Sequence, residues 1–524
     1  MNREKEISEV AGATLDPTDW RDIRRQGHQM LDDMFDYLEH IRERPVWQPA
    51  PDAVRARFQE TLPTEPAALA DVYDEFRQNI LPYTTGNAHP GFMGWVHGGG
   101  TAVGMLAEML AAGLNANLGG RDHMPIQVER QIVEWMRQLY GFPQTASGLF
   151  VTGTSMANLI AVLVARTTAL GTDARSEGVA PKGSRLRAYT SAAAHGCIGQ
   201  AMDLSGLGTG ALRRIPTDGT HRMDIAALRA AIDADRRAGL QPFLVAATAG
   251  TVDTGAIDDL EAVGRICREQ NLQFHVDGAY GALAALSGAL KHRLAGIELA
   301  DSIAFDFHKW GQVPYDSGFI LVRDGVRHRE TFVAPTAYLR RETRGLAGGD
   351  FWPCDYGPDL SRGFRALKTW FTLKTYGTER LGAVIDRSCA LARYLEKRVL
   401  DEPQLELLAP AQLNIVCFRF RARDIDRVNG DIVAELHESG IAAPSTTILN
   451  GQLAIRAAFV NHRTQPEDVD ALIEATLRFG RAKAQPASQF EAEDISVSPN
   501  RHRGYQPAPE SVAAMTAWEC PSLL

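Results

Sequence analysis

The amino-acid sequence predicts an α/β fold, with a mostly parallel sheet followed by a smaller α+β unit. The 524 residues are 45% hydrophobic, so the chain can bury a large core. Between about residues 82 and 380, short apolar runs rich in β-forming residues alternate with helical stretches. This alternation is typical of a parallel sheet that is covered by helices on both faces.

Four segments follow from these patterns. Apolar residues at helical spacing, from Met30 to Leu38, predict an N-terminal helical segment over residues 1–85. We expect a large domain over residues 86–380 and a small C-terminal domain over residues 381–482. Residues 483–524 lack periodicity and are rich in Pro, Ser and Glu, which predicts an irregular C-terminal extension.

Individual elements can be placed within the two domains. A crossover helix is expected from Asp258 to about Arg268, because aspartates stand at its start and apolar residues form one stripe. In the small domain, a strand at 414–420 precedes a hairpin turn at Asn450-Gly451, and a helix begins at Pro466. In the large domain, we predict strands at 149–151, 188–190, 243–246, 274–276, 302–305 and 319–322.

Composition limits the classes of function. The formal charge is −9 and no basic cluster is dense, so nucleic acid is not an expected partner. The first residues are charged where a signal peptide is apolar, and the longest apolar stretch, 156–165, is too short to cross a bilayer. We therefore expect a cytoplasmic enzyme without a membrane partner. Six scattered cysteines form no Cys-x-x-Cys pair, so we expect neither a disulfide framework nor a metal site.

The most informative residues are a lysine and an aspartate at the ends of two apolar runs. Lys309 follows the run 301–307, and a lysine at the end of a buried strand, here beside His308, is suited to a Schiff base with an aldehyde. Asp277 ends the run 274–277, where a carboxylate needs a partner. Pyridoxal 5′-phosphate (PLP) requires a lysine for its aldehyde and an acid beside its ring nitrogen, so the pair predicts this cofactor.

A phosphate site is predicted at Thr154 and Ser155. These residues follow Gly153, between a predicted strand and a predicted helix, and the first amides of a helix together with two hydroxyls suit a single phosphate. The alternative is an ordinary helix N-cap, which this segment alone favours. The phosphate site is favoured over the N-cap once PLP is predicted, because PLP independently requires a site for its phosphate.

His195 and Thr248 are further candidate cofactor contacts, since the first follows a predicted strand and the second ends one. Taken alone, His195 is more often a packed or solvated residue, and Thr248 could be a turn cap beside Gly250. Two glycine-rich segments, 98–104 and 206–210, do not fit Gly-x-Gly-x-x-Gly, so a nicotinamide cofactor has little support.

With these residues in this order, the sequence resembles the PLP-dependent group II amino-acid decarboxylases, the family of aromatic-L-amino-acid decarboxylase. The resemblance implies PLP-dependent transferase fold type I, which is aspartate-aminotransferase-like, with a mainly parallel sheet of the seven-stranded type. It also implies a homodimer with active sites at the subunit interface, to which the N-terminal segment contributes. The resemblance runs from about residue 19 to 479, and its motifs include His89-Pro-Gly-Phe92, Gly153-Thr-Ser155, Val276-Asp-Gly-Ala-Tyr280, His308-Lys-Trp310 and Arg362-Gly-Phe-Arg-Ala-Leu-Lys368.

The same resemblance implies roles for the candidate residues. Lys309 would form the internal aldimine, and Asp277 would pair with the pyridinium nitrogen. His195 would stack on the ring, while Thr154 and Ser155 would hold the phosphate. Phe92, Trp95, His97, His123 and Trp352 could line the substrate pocket or belong to the core, and for the two tryptophans we favour the core.

Three positions depart from the family pattern. Relatives that act on aromatic amino acids carry a loop tyrosine that protonates Cα, but an ungapped match puts Pro353 there, and Tyr356 is the nearest phenol. Gly98 stands where those relatives have a pocket threonine. Asp306 replaces the asparagine usually found three residues before the lysine.

We therefore expect decarboxylation of an L-amino acid to its amine, with an aromatic amino acid as a candidate substrate and Tyr356 as the proton donor. Without an acid in reach of Cα, oxygen could instead react, giving an aldehyde, ammonia and peroxide. A third interpretation is a non-catalytic PLP-binding scaffold, in which Gly98 and Pro353 mark a pocket that has lost its function.

Overall fold

The computed structural model describes residues 14–180, 182–334 and 340–484, which belong to one compact unit. The extension predicted over residues 483–524 lies outside the described residues from Gln485 onward. None of the helices in the described ranges is both long enough and apolar enough to cross a lipid bilayer.

Twelve strands in the described residues form two sheets. The larger sheet has the order β2-β8-β7-β6-β5-β3-β4, and only β8 runs antiparallel to its neighbours. The smaller sheet has the order β1-β11-β12-β10-β9. The strands are β1 Phe92–Met93, β2 Ser147–Val151, β3 Leu186–Ser191, β4 Leu212–Ile215, β5 Gln241–Thr248, β6 Gln273–Asp277, β7 Ser302–Asp306, β8 Gly318–Val322, β9 Leu405–Gln412, β10 Ile415–Phe420, β11 Ala443–Leu449 and β12 Gln452–Ala458.

The predicted α/β fold class is confirmed, with a seven-stranded sheet. All six strands predicted in the large domain are present, and the turn at Asn450-Gly451 joins β11 to β12 with both residues at positive φ. The prediction missed β4, whose Arg213 and Arg214 interrupt the apolar pattern at the edge of the sheet. Strand β1 lies within the range assigned to the large domain, but it pairs with β11 in the smaller sheet.

Helices cover both sheets. The predicted crossover helix is α10, and its N-cap is Asp259, which accepts a hydrogen bond from the amide of Ala262. Asp258 instead accepts from the amides of Met223 and Thr248, so it ties β5 to a neighbouring loop. The α-helices are α1 Trp20–Glu39, α2 Asp52–Arg57, α3 Leu69–Asn79, α4 Ala102–Leu114, α5 Met124–Leu139, α6 Thr154–Leu170, α7 Ala174–Glu177, α8 Cys197–Leu204, α9 Ile225–Arg237, α10 Leu260–Gln270, α11 Gly325–Phe332, α12 Arg365–Asp401, α13 Ile425–Glu438 and α14 Pro466–Ala484.

The boundary predicted between residues 380 and 381 falls inside α12. This helix is interrupted at Gly377, whose φ of 69° lies in the left-handed region. The change from one sheet to the other therefore occurs along a kinked helix and not in a loop.

The sheet topology brings chemically active residues to one edge. Strands β5, β6 and β7 are parallel neighbours, and they end at Thr248, Asp277 and Asp306. Strand β2 runs in the same direction and leads through Gly153 into α6. Ligands of open α/β sheets bind at the carboxyl ends of such strands.

Candidate active site

A cavity of about 400 Å³ lies at this edge of the large sheet. Seven residues predicted to contact the cofactor line it together, which are Thr154, Ser155, His195, Thr248, Asp277, His308 and Lys309. A wider cleft of about 1080 Å³ lies elsewhere on the chain, and none of these seven residues lines it.

At one end of the cavity, Asp277 is 2% exposed. One carboxylate oxygen accepts from the amide of Ala279 at 3.1 Å, and the other accepts from the Asn158 amide group at 3.1 Å and the Cys197 thiol at 3.6 Å. Burial raises the pKa of Asp277, whereas the Lys309 charge and these hydrogen bonds oppose that shift. A cationic N–H facing this carboxylate would stabilise its charged form.

A buried hydrogen-bond chain continues behind Asp277. Asn158 Oδ1 lies 2.7 Å from His275 Nε2, and His275 Nδ1 lies 2.8 Å from Ser302 Oγ. Burial lowers the pKa of His275 to about 4, so the ring is neutral near pH 7. Because the Asn158 oxygen can only accept, the single ring proton belongs on Nε2.

Sequence reasoning assigned no role to Asn158 or His275. The signal was present, because each is a polar residue inside an apolar stretch, where an unpaired polar group is costly. Each therefore needs a buried hydrogen-bond partner, and the two side chains bond to each other.

At the opposite end, Lys309 and Asp306 form an ion pair. Lys309 Nζ lies 2.7 Å from Asp306 Oδ2, and Asp306 Oδ1 accepts from the Thr154 amide at 2.8 Å. Asp306 is 2% exposed, whereas the Lys309 side chain is 21% exposed toward the cavity. The Asp306 carboxylate thus accepts the first amide of α6.

His308 is buried beside this pair. Its Nδ1 accepts from the Ser317 amide at 3.0 Å, so its proton belongs on Nε2, which lies 3.7 Å from Asp306. Burial lowers the pKa of His308 to about 4. Lys368, at the start of α12, donates to the Tyr315 carbonyl at 3.0 Å and so anchors the turn that carries Ser317.

Three buried hydroxyl groups, on residues that line the cavity, have no hydrogen-bond partner among the described residues. They belong to Thr154, Thr248 and Tyr280. An unsatisfied buried polar group costs about 1–3 kcal/mol, which favours a polar ligand here. Together with Lys309 at one end and Asp277 at the other, these groups fit the aldehyde, ring nitrogen and polar substituents of PLP.

His195 is exposed to the cavity. Its Nδ1 accepts from the Cys197 amide at 3.2 Å, which fixes one edge of the ring at the start of α8. This tether leaves the ring face available for stacking on a flat ligand.

The outer wall of the cavity is aromatic. Trp95, His97 and Tyr315 line it: His97 stacks on Trp95 at a centroid distance of 5.8 Å, and Tyr315 meets His97 edge-on at 5.8 Å. Phe92 packs behind both His97 and Trp95, at 5.5 and 6.0 Å. Trp95 is 51% exposed, so the prediction that it belongs to the core is wrong. Trp352, at 2% exposure, does belong to the core.

Gly98 is explained by packing. A Cβ at this position would lie 2.4 Å from the His308 carbonyl oxygen and 2.5 Å from that of Lys309. The backbone that carries the reactive lysine therefore leaves no room for a threonine, and the departure at this position is no sign of a pocket that has lost its function.

The structure does not bring Tyr356 to this cavity. Its ring packs on His328 at 5.2 Å and Phe351 at 5.0 Å, and it lines the wider cleft. Pro353 is buried in a short turn, Pro353–Asp355. Tyr338, another phenol of this loop, lies outside the described residues. Within one chain, the predicted proton donor is therefore separated from Lys309.

Comparison with known proteins agrees with this site. The family model described as "Pyridoxal-dependent decarboxylase conserved domain" matches residues 51–421. Aromatic-L-amino-acid decarboxylase of Bacillus atrophaeus is 33% identical over 86% of this chain and 93% of its own length. Phenylacetaldehyde synthase of Arabidopsis thaliana is 28% identical over 88% and 96%. A crystal structure of Oryza sativa TDC with PLP and tryptamine superposes with a TM-score of 0.83 at 27% identity, covering 90% of this chain and all of the other.

The extent of these matches confirms the predicted family, fold type I and PLP as the cofactor. The non-catalytic interpretation is wrong, because the matched family and its amino-acid decarboxylase relatives are PLP-dependent lyases. The chain belongs to the pyridoxal-dependent decarboxylase family and is a PLP-dependent carboxy-lyase.

Proposed function

We propose that the enzyme removes the carboxyl group of an aromatic L-amino acid and releases the amine. The observation that carries this proposal is the wall built from Trp95, His97 and Tyr315 around the entrance to the Lys309 cavity. Among the described lining residues, the acidic and basic side chains other than histidine are Asp277, Asp306 and Lys309, which lie at the two cofactor ends. An acidic or basic substrate side chain would lack a counter-charge here, whereas an aromatic ring can stack.

The residues divide the work at the cofactor. Bound PLP supplies a protonated ring that withdraws the electrons left by departing carbon dioxide. Asp277 would keep the ring nitrogen of PLP protonated, and the His195 ring would stack on the cofactor. Lys309 would be the residue that bonds to the cofactor aldehyde. The buried Thr154 and Thr248 hydroxyls, which have no partner among the described residues, and the exposed Ser155 hydroxyl would form hydrogen bonds with the cofactor.

Amine formation requires a proton at the substrate Cα. Because Tyr356 lies in a different cleft of its own chain, we propose that it acts from the second subunit of a homodimer. Tyr315 is the competing phenol, since it lines the Lys309 cavity directly. Burial raises the pKa of both phenols, so each carries its proton near pH 7.

The N-terminal helices support a homodimer. None of the residues of α1 is buried, yet Trp20 and Ile23 are apolar and 59% and 38% exposed. On α3, Leu69 and Val72 are 40% and 51% exposed. Apolar helix faces of this kind require a covering surface. Sedimentation equilibrium should give twice the chain mass of 57.3 kDa.

A second candidate outcome is oxidative. If no proton reaches Cα, the amino acid, oxygen and water would yield an aldehyde, carbon dioxide, ammonia and hydrogen peroxide in equal amounts. Two findings favour it: an ungapped match to the family pattern puts Pro353 at the position of the loop tyrosine, and a phenylacetaldehyde synthase is among the relatives.

A product assay separates the two outcomes. Purified enzyme with L-phenylalanine, L-tyrosine or L-tryptophan should release amine and carbon dioxide in equal amounts without consuming oxygen. Tyr356→Phe should shift the product toward aldehyde and peroxide, while Tyr315→Phe should retain the amine. The reverse pattern would assign the proton to Tyr315, and aldehyde as the main wild-type product would overturn the simple decarboxylase proposal.

A further inference from the structure

Asp306 places a carboxylate at the end of the cavity where a phosphate is expected. It is 2% exposed, accepts from the Thr154 amide at 2.8 Å and pairs with Lys309 at 2.7 Å. The cofactor needs both the amide that donates to this carboxylate and the lysine that pairs with it. The Thr154 amide opens helix α6, and Lys309 must release its ion pair to bond to an aldehyde.

The start of α6 therefore already holds an anion that belongs to the protein. Free amides at a helix start attract negative charge, and a carboxylate satisfies them as a phosphate would. The Thr154 hydroxyl nearby is buried and has no partner among the described residues, so the site retains capacity for a second acceptor. That capacity shows that Asp306 fills the site only in part.

The charges around Asp306 do not favour a second anion. Lys309 is the cation paired with it, and His308 is neutral because its Nδ1 accepts from Ser317. A phosphate that binds beside Asp306 adds negative charge next to a buried carboxylate, while Lys309, the cation paired with that carboxylate, is engaged by the aldehyde. An asparagine at this position would carry no such charge.

We propose that Asp306 is a built-in competitor for the cofactor phosphate. In the free protein it holds the Thr154 amide and the Lys309 ammonium, and cofactor binding must weaken at least one of these contacts. The chain consequently binds phosphate-bearing ligands less tightly than its helix terminus would allow. This inference rests on the proposed cofactor roles of Lys309 and Thr154.

Comparing two aldehydes tests the inference. Full-length protein, freed of bound cofactor, is titrated with PLP and with pyridoxal, which lacks the phosphate, while the visible absorbance is recorded. Asp306→Asn should raise the affinity for PLP relative to pyridoxal by about tenfold or more. The ratio matters because any change in Lys309 reactivity affects both aldehydes equally. Inorganic phosphate should also raise the melting temperature of the variant more than that of wild type.

Asp316→Asn is the matched control, since it removes the same charge from a residue that pairs with Arg365 at 2.8 Å outside the cavity lining. It should leave the ratio unchanged. Asp306→Ser serves if the asparagine variant fails to fold. An unchanged or lower ratio in a folded Asp306 variant would overturn the inference. Binding of neither aldehyde to wild type would overturn the proposed cofactor roles as well.

Discussion

The two ends of the cofactor cavity are built differently. At the Asp277 end, the polar side chains form a closed chain from Asp277 through Asn158 and His275 to Ser302. At the Lys309 end, an ion pair lies beside the Thr154 hydroxyl, which is buried and has no hydrogen-bond partner among the described residues. The chain from Asp277 to Ser302 satisfies its own members, whereas the Thr154 hydroxyl leaves a hydrogen bond for a ligand to complete.

The two ends therefore have different effects: one stabilises the free protein, and the other binds the ligand. A closed buried network contributes to the stability of the free protein, because removing any member leaves another unpaired. A polar group without a partner adds no stability to the free protein, and its hydrogen bond forms only when a ligand binds. Substitutions at the two ends should therefore affect different measurements.

The largest effect is expected from Asp277→Asn. Without the carboxylate, the ring nitrogen loses the group that keeps it protonated, so decarboxylation should fall about a hundredfold or more even at saturating PLP. Near-normal turnover in this variant would contradict the assigned role.

A matched pair of substitutions compares the ends directly. Asn158→Ala leaves Asp277 and His275 each short of a partner and should lower the unfolding free energy of cofactor-free protein by about 1–3 kcal/mol. Thr154→Val removes a buried hydroxyl that has no partner among the described residues and keeps the amide, so the unfolding free energy should stay the same or rise, by at most about 1–3 kcal/mol. PLP affinity should instead fall. Denaturant titrations and PLP titrations of both variants measure these quantities, and equal destabilisation would remove the distinction.

A smaller effect concerns pH. The unfolded chain protonates His275 below about pH 6.5, whereas the folded protein keeps it neutral down to about pH 4. Unfolding free energy should therefore fall as pH falls across this window, by up to about 1.4 kcal/mol per pH unit from this residue. Asp258, whose pKa is raised to about 6 by burial, contributes with the opposite sign.

The contribution of His275 is measured as a difference between two proteins. Denaturation midpoints of wild type and His275→Asn are compared over the same pH window, so that Asp258 cancels. The variant should show the shallower dependence. Parallel curves would mean that His275 titrates alike in the folded and unfolded chain.

Sequence patterns predicted the part of the site that depends on strand ends. Asp277 and Lys309 each follow an apolar run, and parallel strands bring such ends to one edge. The partners of Asp277 could not be named, because Asn158 and His275 meet only after a helix is packed on the sheet. The pairing of β1 with β11 was not predicted either. Strand β1 has only two residues, too few to show a periodic pattern, and its partner lies more than half of the chain away in sequence.

Gly98 and Tyr356 show the limits of position-by-position comparison. The glycine at position 98 suggested a pocket that had lost its function. Glycine is instead required there because the backbone of His308 and Lys309 comes too close for a side chain, and no sequence pattern encodes that contact. Tyr356 was close to Pro353 in sequence, yet it packs in a different cleft from Lys309. A short separation from Pro353 in sequence therefore did not mean that Tyr356 lies near Lys309 in space.

The central claim is that Lys309 is the residue that binds the PLP aldehyde, and borohydride reduction tests it most directly. Treating the PLP-loaded enzyme with borohydride and digesting it should yield one peptide with added phosphopyridoxyl mass, and that peptide should contain Lys309. Lys309→Ala should show neither the labelled peptide nor the visible absorbance of the wild type. Label on a different lysine, or unchanged labelling in Lys309→Ala, would contradict the account.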